Sequence, residues 1–413
     1  MRLTVTSPDG LGDFILRLPW LLTMEQRGWD LQLVAREPTL ELARLAGLRA
    51  TGVEIANSPY SRVTRTMKRP FTQEFRRIRE FRPDILFFGP SQISFFEEQA
   101  ASELDGMTKA GFRIDTDFQP GEGIEDPLAV SSAYDFYVTV ESSDPEPLRN
   151  AKAARFLLGN PTLAVPEPFR FPATFADRTR PEDSAFVAVS AGHRAGDRFA
   201  GWGNANWSRE LGALAHEAKQ PYVFVGIEKE QESHAAIMKN LPHDLPHRDL
   251  TGKLGKVEDL LRVLSGTTAY VGKDGGVMHL AAALGKPVLA VFGGGHWPRF
   301  LPAGGKSVVL TVNVPCRGCD WRCHLDQPAC VTDLAEGSLV EGWRNLQRIG
   351  ADGCLVLEQQ PRDDTTGRFD SSLIRDFPRQ DLSRQRAARR NERTQALKPF
   401  YLRWAARRPH KHV

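Results

Sequence analysis

Short apolar runs alternate with longer amphipathic stretches along most of the chain. The runs at 2–7, 30–35 and 84–88 favour strands, and helix-like stretches separate them. The alternation resumes later, with strand-like runs at 185–190, 221–226, 268–272 and 287–293 and helix-like stretches at 207–218, 228–240, 256–265 and 276–284. This order predicts an α/β protein with parallel sheets and helices on their faces.

A proline-rich, acidic stretch separates the two alternating regions. Prolines recur between about 145 and 183, where they remove backbone donors and discourage both helix and central strand. We therefore predict a first doubly wound domain over 1–170 and a second over 180–355. Residues 356–413 form a polar tail whose composition cannot bury much apolar surface.

The composition fits this division and excludes several classes of protein. The 413 residues are 41% hydrophobic and 25% charged, as in ordinary globular proteins. No run approaches the ~20 apolar residues that span a bilayer, and no charged-then-apolar leader precedes the strand at Arg2. We therefore expect a cytoplasmic protein.

The charge is concentrated at the C-terminal end. Residues 383–413 carry ten Lys or Arg and one acid. The formal net charge of the whole chain is +3, so the other 382 residues have a net charge of −6. Because this tail also contains Phe400, Tyr401 and Trp404, it suits an anionic lipid surface, which would make the protein peripheral on the inner membrane. A plain solvated tail explains the same residues, and we expect no nucleic acid partner.

The segment from Tyr270 to Gly293 contains the strongest chemical signal. Its sequence predicts a strand, a turn at Asp274, Gly275 and Gly276, a helix and a second strand. The two glycines lack β-carbons, so an oxygen-rich ligand can approach the helix N-terminus, where unpaired N–H groups and the helix dipole favour a diphosphate. His279, five residues after Asp274, could reach a phosphate or a ribose.

A comparable turn opens the first domain. In SPDGLGDFILRLPWLL, we expect Gly10 and Gly12 to end the first strand and Asp13 to open an apolar helix. Asp13 could then face a cleft between domains and take a proton from an attacking hydroxyl. The spacing begins like a dinucleotide-binding fingerprint, but Ile15 occupies the third glycine position, which disfavours a nicotinamide-dependent oxidoreductase.

Each of these residues also has a purely structural interpretation. Asp13 and Asp274 could be helix N-caps, the glycines a tight turn, and His279 a packed core residue.

Three segments together resemble glycosyltransferase family 9, the heptosyltransferase-like enzymes of bacterial surface-polysaccharide (lipopolysaccharide) synthesis. They are DGLGDFILRLPWLL, the GxxxEQE element at Gly226 to Glu232, and KDGGVMHLAAALGKPVLAVFGG. The resemblance covers roughly residues 1–350. It implies a GT-B fold, in which two facing Rossmann-like domains bind the acceptor on the N-terminal side and a nucleotide-sugar donor, ADP-heptose-like, on the C-terminal side.

The resemblance also implies roles for individual residues. Asp13 would be the general base of an inverting, metal-independent transfer that needs no cofactor. Gly12, Asp274, Gly275, Gly276 and His279 would hold the donor's phosphates and sugar, and Glu230 would contact the nucleoside, with Glu228 a close competitor. The acceptor would be a glycan, lipid-linked or protein hydroxyl.

The sequence departs from the family at the phosphate site. The family usually carries a lysine two residues before the tryptophan of the first donor-domain helix, but Ala205 stands there before Trp207. Lys273 or the loop residues His193, Arg194 and Arg198 could supply a cation instead. A GT-B module that binds nucleotide sugars without catalysis is therefore the alternative function.

Four of the five cysteines lie in one predicted loop within 314–331. Cys316, Cys319, Cys323 and Cys330 give C-x2-C-x3-C-x6-C, with His324 as a further candidate ligand. Such soft ligands could hold structural zinc or iron, and some relatives that modify proteins carry a cysteine metal finger. A loop of reduced thiols packed around Trp321 is the other interpretation.

Overall fold

The computed structural model describes residues 1–90, 93–114, 134–141, 143–173, 175, 185–193, 202–318, 325, 327–350 and 353–362. Several predicted features lie outside these ranges: the basic tail at 383–413, Arg194, Arg198, Cys319, Cys323 and His324.

The first domain is built on a six-stranded parallel sheet. Its strands are β1 (Arg2–Ser7), β2 (Asp30–Ala35), β3 (Ala50–Glu54), β4 (Ile85–Phe88), β5 (Lys109–Ile114) and β6 (Phe136–Val140). The strand order is β3-β2-β1-β4-β5-β6. This order reverses between β1 and β4, and ligands of open α/β sheets bind at such a reversal.

Among the described residues, six helices accompany this sheet: α1 (Leu11–Gln26), α2 (Glu37–Leu45), α3 (Arg62–Thr66), α4 (Thr72–Phe81), α5 (Phe95–Glu103) and α6 (Glu146–Leu158). Helix α1 is apolar on most sides because it is covered twice. It packs against α6 on one side and against a helix of the second domain on another.

The second domain repeats this layout with seven parallel strands. They are β7 (Phe186–Ser190), β8 (Tyr222–Phe224), β9 (His247–Asp249), β10 (Thr267–Lys273), β11 (Val288–Val291), β12 (Lys306–Val312) and β13 (Gly353–Gln359). The order β13-β12-β11-β10-β7-β8-β9 reverses between β7 and β10. The predicted pair of doubly wound domains is confirmed.

The helices of this domain are α7 (Asn204–Ala218), α8 (Gln231–Met238), α9 (Val257–Gly266), α10 (Gly276–Ala283), α11 (Ala329–Thr332) and α12 (Ser338–Arg348), with a 3-10 turn at Glu228–Glu230. In α12 the buried Leu339, Trp343 and Leu346 recur at helical spacing. Among the described residues, no helix has the length and apolarity to cross a membrane.

The sequence pattern located seven of the described strands and missed the edge strands β3, β6, β9 and β13 as well as the inner strands β5 and β12. Strand β3, for example, buries only Val53 fully, so it lacks the continuous apolar run that marks a strand covered on both faces. The predicted helix at 228–240 is also wrong at its start, because a 3-10 turn precedes α8.

The two domains meet over a large, partly apolar contact. Helix α1 packs on α10, and one continuous apolar core includes Phe14 of the first domain and Met278 of the second. The carboxylate of Glu41 on α2 accepts hydrogen bonds from the first backbone N–H groups of α9, at Val257 (3.0 Å) and Glu258 (3.1 Å). These contacts orient the carboxyl ends of both sheets toward one cleft.

Candidate active site

The two glycine-containing turns predicted from the sequence face each other across the domain boundary. The turn after β1 leads into α1, and the turn after β10 leads into α10. A β-carbon built on Gly12 would lie 2.7 Å from the His279 Cδ2 and 3.4 Å from the Gly276 Cα. The N-terminal ends of two helices from different domains are therefore in direct contact.

Neither helix start is capped by a side chain. The N-cap of α1 is Gly10 and that of α10 is Gly275, and neither makes a side-chain capping bond. The N-cap interpretation of Asp13 and Asp274 is therefore wrong, since Asp13 lies inside the first turn of α1 and Asp274 precedes the cap of α10. Gly12 is also helical instead of ending the first strand. Both helices direct positive ends and N–H donors into one space.

That space is an open cleft of about 440 Å³. It contains six residues predicted from the sequence, namely Gly12, Asp13, Asp274, Gly275, Gly276 and His279. The rest of its lining comes from loops of both domains: Asp9, Gly10, Leu11, Tyr60, Pro90, His296, Arg299 and Phe300. Its volume is in the range of small-ligand sites.

A buried arginine supports the side of this cleft that the first domain forms. Arg17 on α1 is fully buried and binds the Asp9 carboxylate through both terminal nitrogens, at 3.0 and 2.9 Å. It also donates to the Gly89 carbonyl oxygen at 3.0 Å and to the Ser7 hydroxyl. Arg17 thus fixes the loop after β1 against the end of β4.

A second ion pair crosses from one domain to the other. Arg299, in the loop after β11, donates from Nε to the Glu146 Oε2 at 2.6 Å, and its carbonyl oxygen accepts from the Glu146 N–H at 2.8 Å. The Glu146 side chain is fully buried, and its Oε1 lies 4.0 Å from Arg17. Asp9, Arg17, Glu146 and Arg299 therefore form a chain of alternating charges.

Asp13 lies beside this chain of charges, and its carboxyl group loses its proton only near neutral pH. Burial first, and then the negative charges of Asp9 and Glu146, raise the pKa of Asp13 to about 7 against the opposing effect of Arg299 and Arg17. A carboxyl group with a pKa near neutrality can exist as carboxylate and accept a proton at working pH, as a general base must.

The side of the cleft that the second domain forms carries two more groups with shifted pKa values. Burial raises the pKa of Asp274 to about 6, and His296 and Lys273 oppose the rise. Burial lowers the pKa of His279 to about 4, so its imidazole is neutral at physiological pH. The His279 Nδ1 is buried without a hydrogen-bond partner among the described residues.

Three other predicted residues form a separate group behind the cleft. The Lys273 ammonium donates to the Glu230 Oε1 at 2.8 Å and to the Gly192 carbonyl oxygen. The backbone N–H of the neighbouring His193 donates to the Ser233 hydroxyl at 3.2 Å. Lys273 thus joins the end of β10 to the loop after β7 instead of lining the cleft.

His234 fixes that same loop and was not singled out by the sequence. Its Nε2 accepts from the Ala191 N–H (3.1 Å) and the Gly192 N–H (2.7 Å), so its Nδ1 carries the proton and donates to the Thr251 hydroxyl at 2.7 Å. Burial lowers the pKa of His234 to about 4, which keeps Nε2 an acceptor.

The cysteine loop lies near the turn after β11. Cys330 is buried beside Gly294, and the Gly318 N–H donates to the Gly294 carbonyl oxygen at 2.8 Å, which brings the chain after Cys316 to the same turn. Within the described part of the chain, no group of three metal-ligating side chains is present. Cys319, Cys323 and His324 lie outside that part.

The site residues that sequence reasoning missed are Asp9, Arg17, Tyr60, Glu146, His234, His296 and Arg299. One of them had a local signal, because Arg17 interrupts the apolar run FILRLPWLL. The partners Glu146 and Arg299 are 153 residues apart, and no local pattern joins them.

Two Rossmann-like domains with their strand-order reversals facing one cleft form a GT-B fold. Residues 149–325 match the family model for glycosyltransferase family 9 (heptosyltransferase). This match confirms the resemblance predicted from the sequence: residues 149–325 are similar to the glycosyltransferase family 9 domain. No functionally curated protein matches the chain by sequence.

Solved structures share this fold at low sequence identity. The E. coli ADP-heptose lipopolysaccharide heptosyltransferase II is 16% identical, with a TM-score of 0.61 over 84% of this chain and 98% of that one. The E. coli heptosyltransferase WaaC with ADP-2-deoxy-2-fluoro heptose is 20% identical, with a TM-score of 0.55 over 84% and 100%. TibC, an iron-containing dodecameric glycosyltransferase from enterotoxigenic E. coli H10407, is 12% identical, with a TM-score of 0.50 over 84% and 76%.

Proposed function

We propose that this protein is an inverting, metal-independent glycosyltransferase. It moves a sugar, a heptose in our proposal, from a nucleotide-diphosphate donor to a hydroxyl of a surface glycan, lipopolysaccharide or protein. One observation carries the proposal: Asp13 and the bare N-terminus of α10 line the same cleft from opposite domains.

In this proposal, the Asp13 carboxylate removes the proton of the acceptor hydroxyl. The oxygen attacks the anomeric carbon from the face opposite the donor phosphate, so the new carbon–oxygen bond forms as the old one breaks. The nucleoside diphosphate leaves with the bonding electrons, and Asp13 keeps the proton. The configuration at the anomeric carbon is inverted.

The leaving diphosphate gains charge during this step and needs oriented dipoles. The first N–H groups of α10, at Gly276 and after it, supply them without rearrangement, and Gly275 leaves room for the phosphate to approach. We assign the nucleoside to the loops after β7 and β8, where Glu230, Lys273 and His193 lie together.

The identity of the donor is proposed by analogy. One solved structure of the same fold is an ADP-heptose heptosyltransferase, and another holds an ADP-heptose analogue. An ADP-linked heptose is therefore the first donor to test. For a lipid-linked acceptor, we propose that the enzyme works at the cytoplasmic side of the inner membrane, with the basic tail at 383–413 near anionic lipid.

A panel of nucleotide sugars and free nucleotides, read by thermal shift, tests donor binding. Wild-type protein and Asp13→Asn should be stabilised equally by ADP-heptose and ADP, while only the wild type transfers sugar to acceptor. Protection by NAD and by no nucleotide sugar would refute the proposal, as would full transfer by Asp13→Asn.

The replacement of the family lysine by Ala205 favours one alternative, a module that binds nucleotide sugars without catalysis. It predicts the same thermal protection but no release of nucleoside diphosphate by the wild type with any acceptor. Wild-type turnover that Asp13→Asn lacks would exclude it.

We further propose a structural zinc or iron ion at Cys316, Cys319, Cys323 and Cys330. The proximity of Cys330 and the 316–318 turn to Gly294 supports it, as does the iron-containing TibC of the same fold. Chelator-washed protein should retain about one metal ion per chain in elemental analysis. A value under about 0.2 would contradict a high-affinity site.

A further inference from the structure

The ion pair between Glu146 and Arg299 is the one strong charged contact described between the two halves of the active site. The Glu146 side chain is fully buried at the first turn of α6, and the Arg299 side chain is 11% exposed at the rim of the cleft. Side chain and backbone both contribute, through Arg299 Nε to Glu146 Oε2 (2.6 Å) and Glu146 N–H to the Arg299 carbonyl oxygen (2.8 Å).

Fold stability alone does not explain such a pair. Removing two charges from water costs more than their attraction commonly returns, and apolar residues of similar volume often stabilise a buried site better. The domains already share an apolar core and the Glu41 contacts with α9. A buried, cross-domain ion pair at the edge of the cleft therefore points to a role in the site.

The groups that face Asp13 show what that role is. Asp9 from the loop after β1 and Glu146 from α6 are negative, while Arg17 from α1 and Arg299 from the loop after β11 are positive. The opposite wall carries Asp274, His279 and His296, and Tyr60 lies at the rim. Arg299 is thus the cation that the donor domain contributes to the carboxylate cluster of the acceptor domain.

We propose that Glu146 and Arg299 are positioning residues for the transfer. Glu146 holds the Arg299 guanidinium where it balances the negative charges around Asp13, so that the Asp13 carboxylate is available as base only when both domains contribute. This inference rests on the proposed role of Asp13 as the general base.

The two partners act on Asp13 with opposite signs. Arg299 lowers the pKa of Asp13 and Glu146 raises it. Neutralising Arg299 should therefore raise the pKa of Asp13. Glu146→Gln keeps a side-chain oxygen that accepts from Arg299 Nε and the backbone bond, so the guanidinium stays in place and the loss of the negative charge should lower the pKa of Asp13. A pair with only a structural role would give both variants the same defect.

The experiment titrates Asp13 directly, so it needs neither donor nor acceptor. Full-length protein labelled with ¹³C at the aspartate carboxyl carbons is titrated by NMR, and Asp13→Asn identifies the Asp13 signal by its absence. The variants are Glu146→Gln, Arg299→Gln and Arg299→Lys. Glu217→Gln, which breaks the surface pair with Arg344 (2.6 Å), is the matched control.

We expect the Asp13 midpoint to rise by about one pH unit in Arg299→Gln and to fall by about as much in Glu146→Gln. Arg299→Lys keeps the charge and should remain near the wild type, and Glu217→Gln should be unchanged. If a single variant does not fold, Glu146→Gln with Arg299→Gln removes both charges and should titrate near the wild type.

The inference would be overturned if the Asp13 titration midpoint were the same in Glu146→Gln and Arg299→Gln, or if it moved in the same direction in both. Its failure is separable from that of the proposed function. Transfer by Asp13→Asn refutes the base, whereas an unaffected Asp13 midpoint in both pair variants refutes the positioning role even when Asp13→Asn is inactive.

Discussion

Gly12 of the first domain lies directly against the imidazole of His279 in the second, with room for a hydrogen atom but not for a methyl group. A β-carbon on Gly12 would lie 2.7 Å from the His279 Cδ2, far inside van der Waals contact. This contact sets how closely Asp13 and the start of α10 approach each other.

Gly12→Ala should therefore separate the two halves of the site. We expect a loss of about 1–3 kcal/mol in the free energy of unfolding and weaker donor binding, because His279 or a whole helix end must shift. Urea unfolding and nucleotide titration measure both effects. Gly255→Ala is the control, since a β-carbon there meets nothing within 4 Å. Equal behaviour of the two variants would contradict the close contact.

The rate of transfer should depend on the ionisation of Asp13. A general base works as the carboxylate, and the pKa of Asp13 is about 7, so activity should rise with pH through a midpoint near 7. Measurements of kcat/KM between pH 5 and 9 test this. A profile that is already flat at pH 5 would show that another group accepts the proton.

The same carboxyl group should weaken the fold at alkaline pH. Its folded-state pKa of about 7 lies above the unfolded value, so the folded protein binds the proton more tightly, and ionisation costs stability. The cost is absent below about pH 4, grows as the pH rises toward 7 and is complete above 7.

Asp13→Asn should accordingly be more stable than the wild type at pH 8, on the order of 2 kcal/mol at this partly exposed site, with no gain near pH 4. Thermal unfolding at both pH values measures the difference. A gain that is equal at both pH values would indicate a packing effect instead.

His234 should be required for the loop after β7. His234→Leu leaves the N–H groups of Ala191 and Gly192 without their acceptor, which should cost about 2–4 kcal/mol and weaken donor binding. Chemical unfolding and thermal shift with nucleotide measure these losses. The exposed His243 provides the control, because His243→Gln should change neither.

Acid should disturb the same loop. The pKa of His234 falls to about 4 in the folded protein, below its unfolded value, so the folded state resists protonation. Stability should therefore decline as the pH falls from about 6.5 toward 4, and the decline should be smaller in His234→Leu. An unchanged slope would assign the acid sensitivity to other groups.

Arg17 should be among the most sensitive positions of the first domain. Arg17→Met removes the ion-pair partner of the Asp9 carboxylate and leaves the buried Glu146 with Arg299 as its ion-pair partner, which should cost about 3–5 kcal/mol. Arg44→Met, which breaks an exposed pair with Glu37, should cost less than about 1 kcal/mol. Urea unfolding of both variants checks the contrast.

The sequence by itself determined the two doubly wound domains and the two turns that form the site. Central parallel strands are buried on both faces, so they appear as continuous apolar runs, and a glycine-containing turn between strand and helix is a local pattern. The segments around Asp13 and Asp274 were therefore recognisable without coordinates.

Tertiary structure alone decided which charges surround Asp13 and where Lys273 points. Lys273 stands next to Asp274, yet its ammonium binds Glu230 and the Gly192 carbonyl oxygen behind the cleft. Arg299 is held near Asp13 by Glu146 on α6, and these two partners are 153 residues apart in the chain. Ion pairs depend on distance and burial in space, and chain separation carries no information about either.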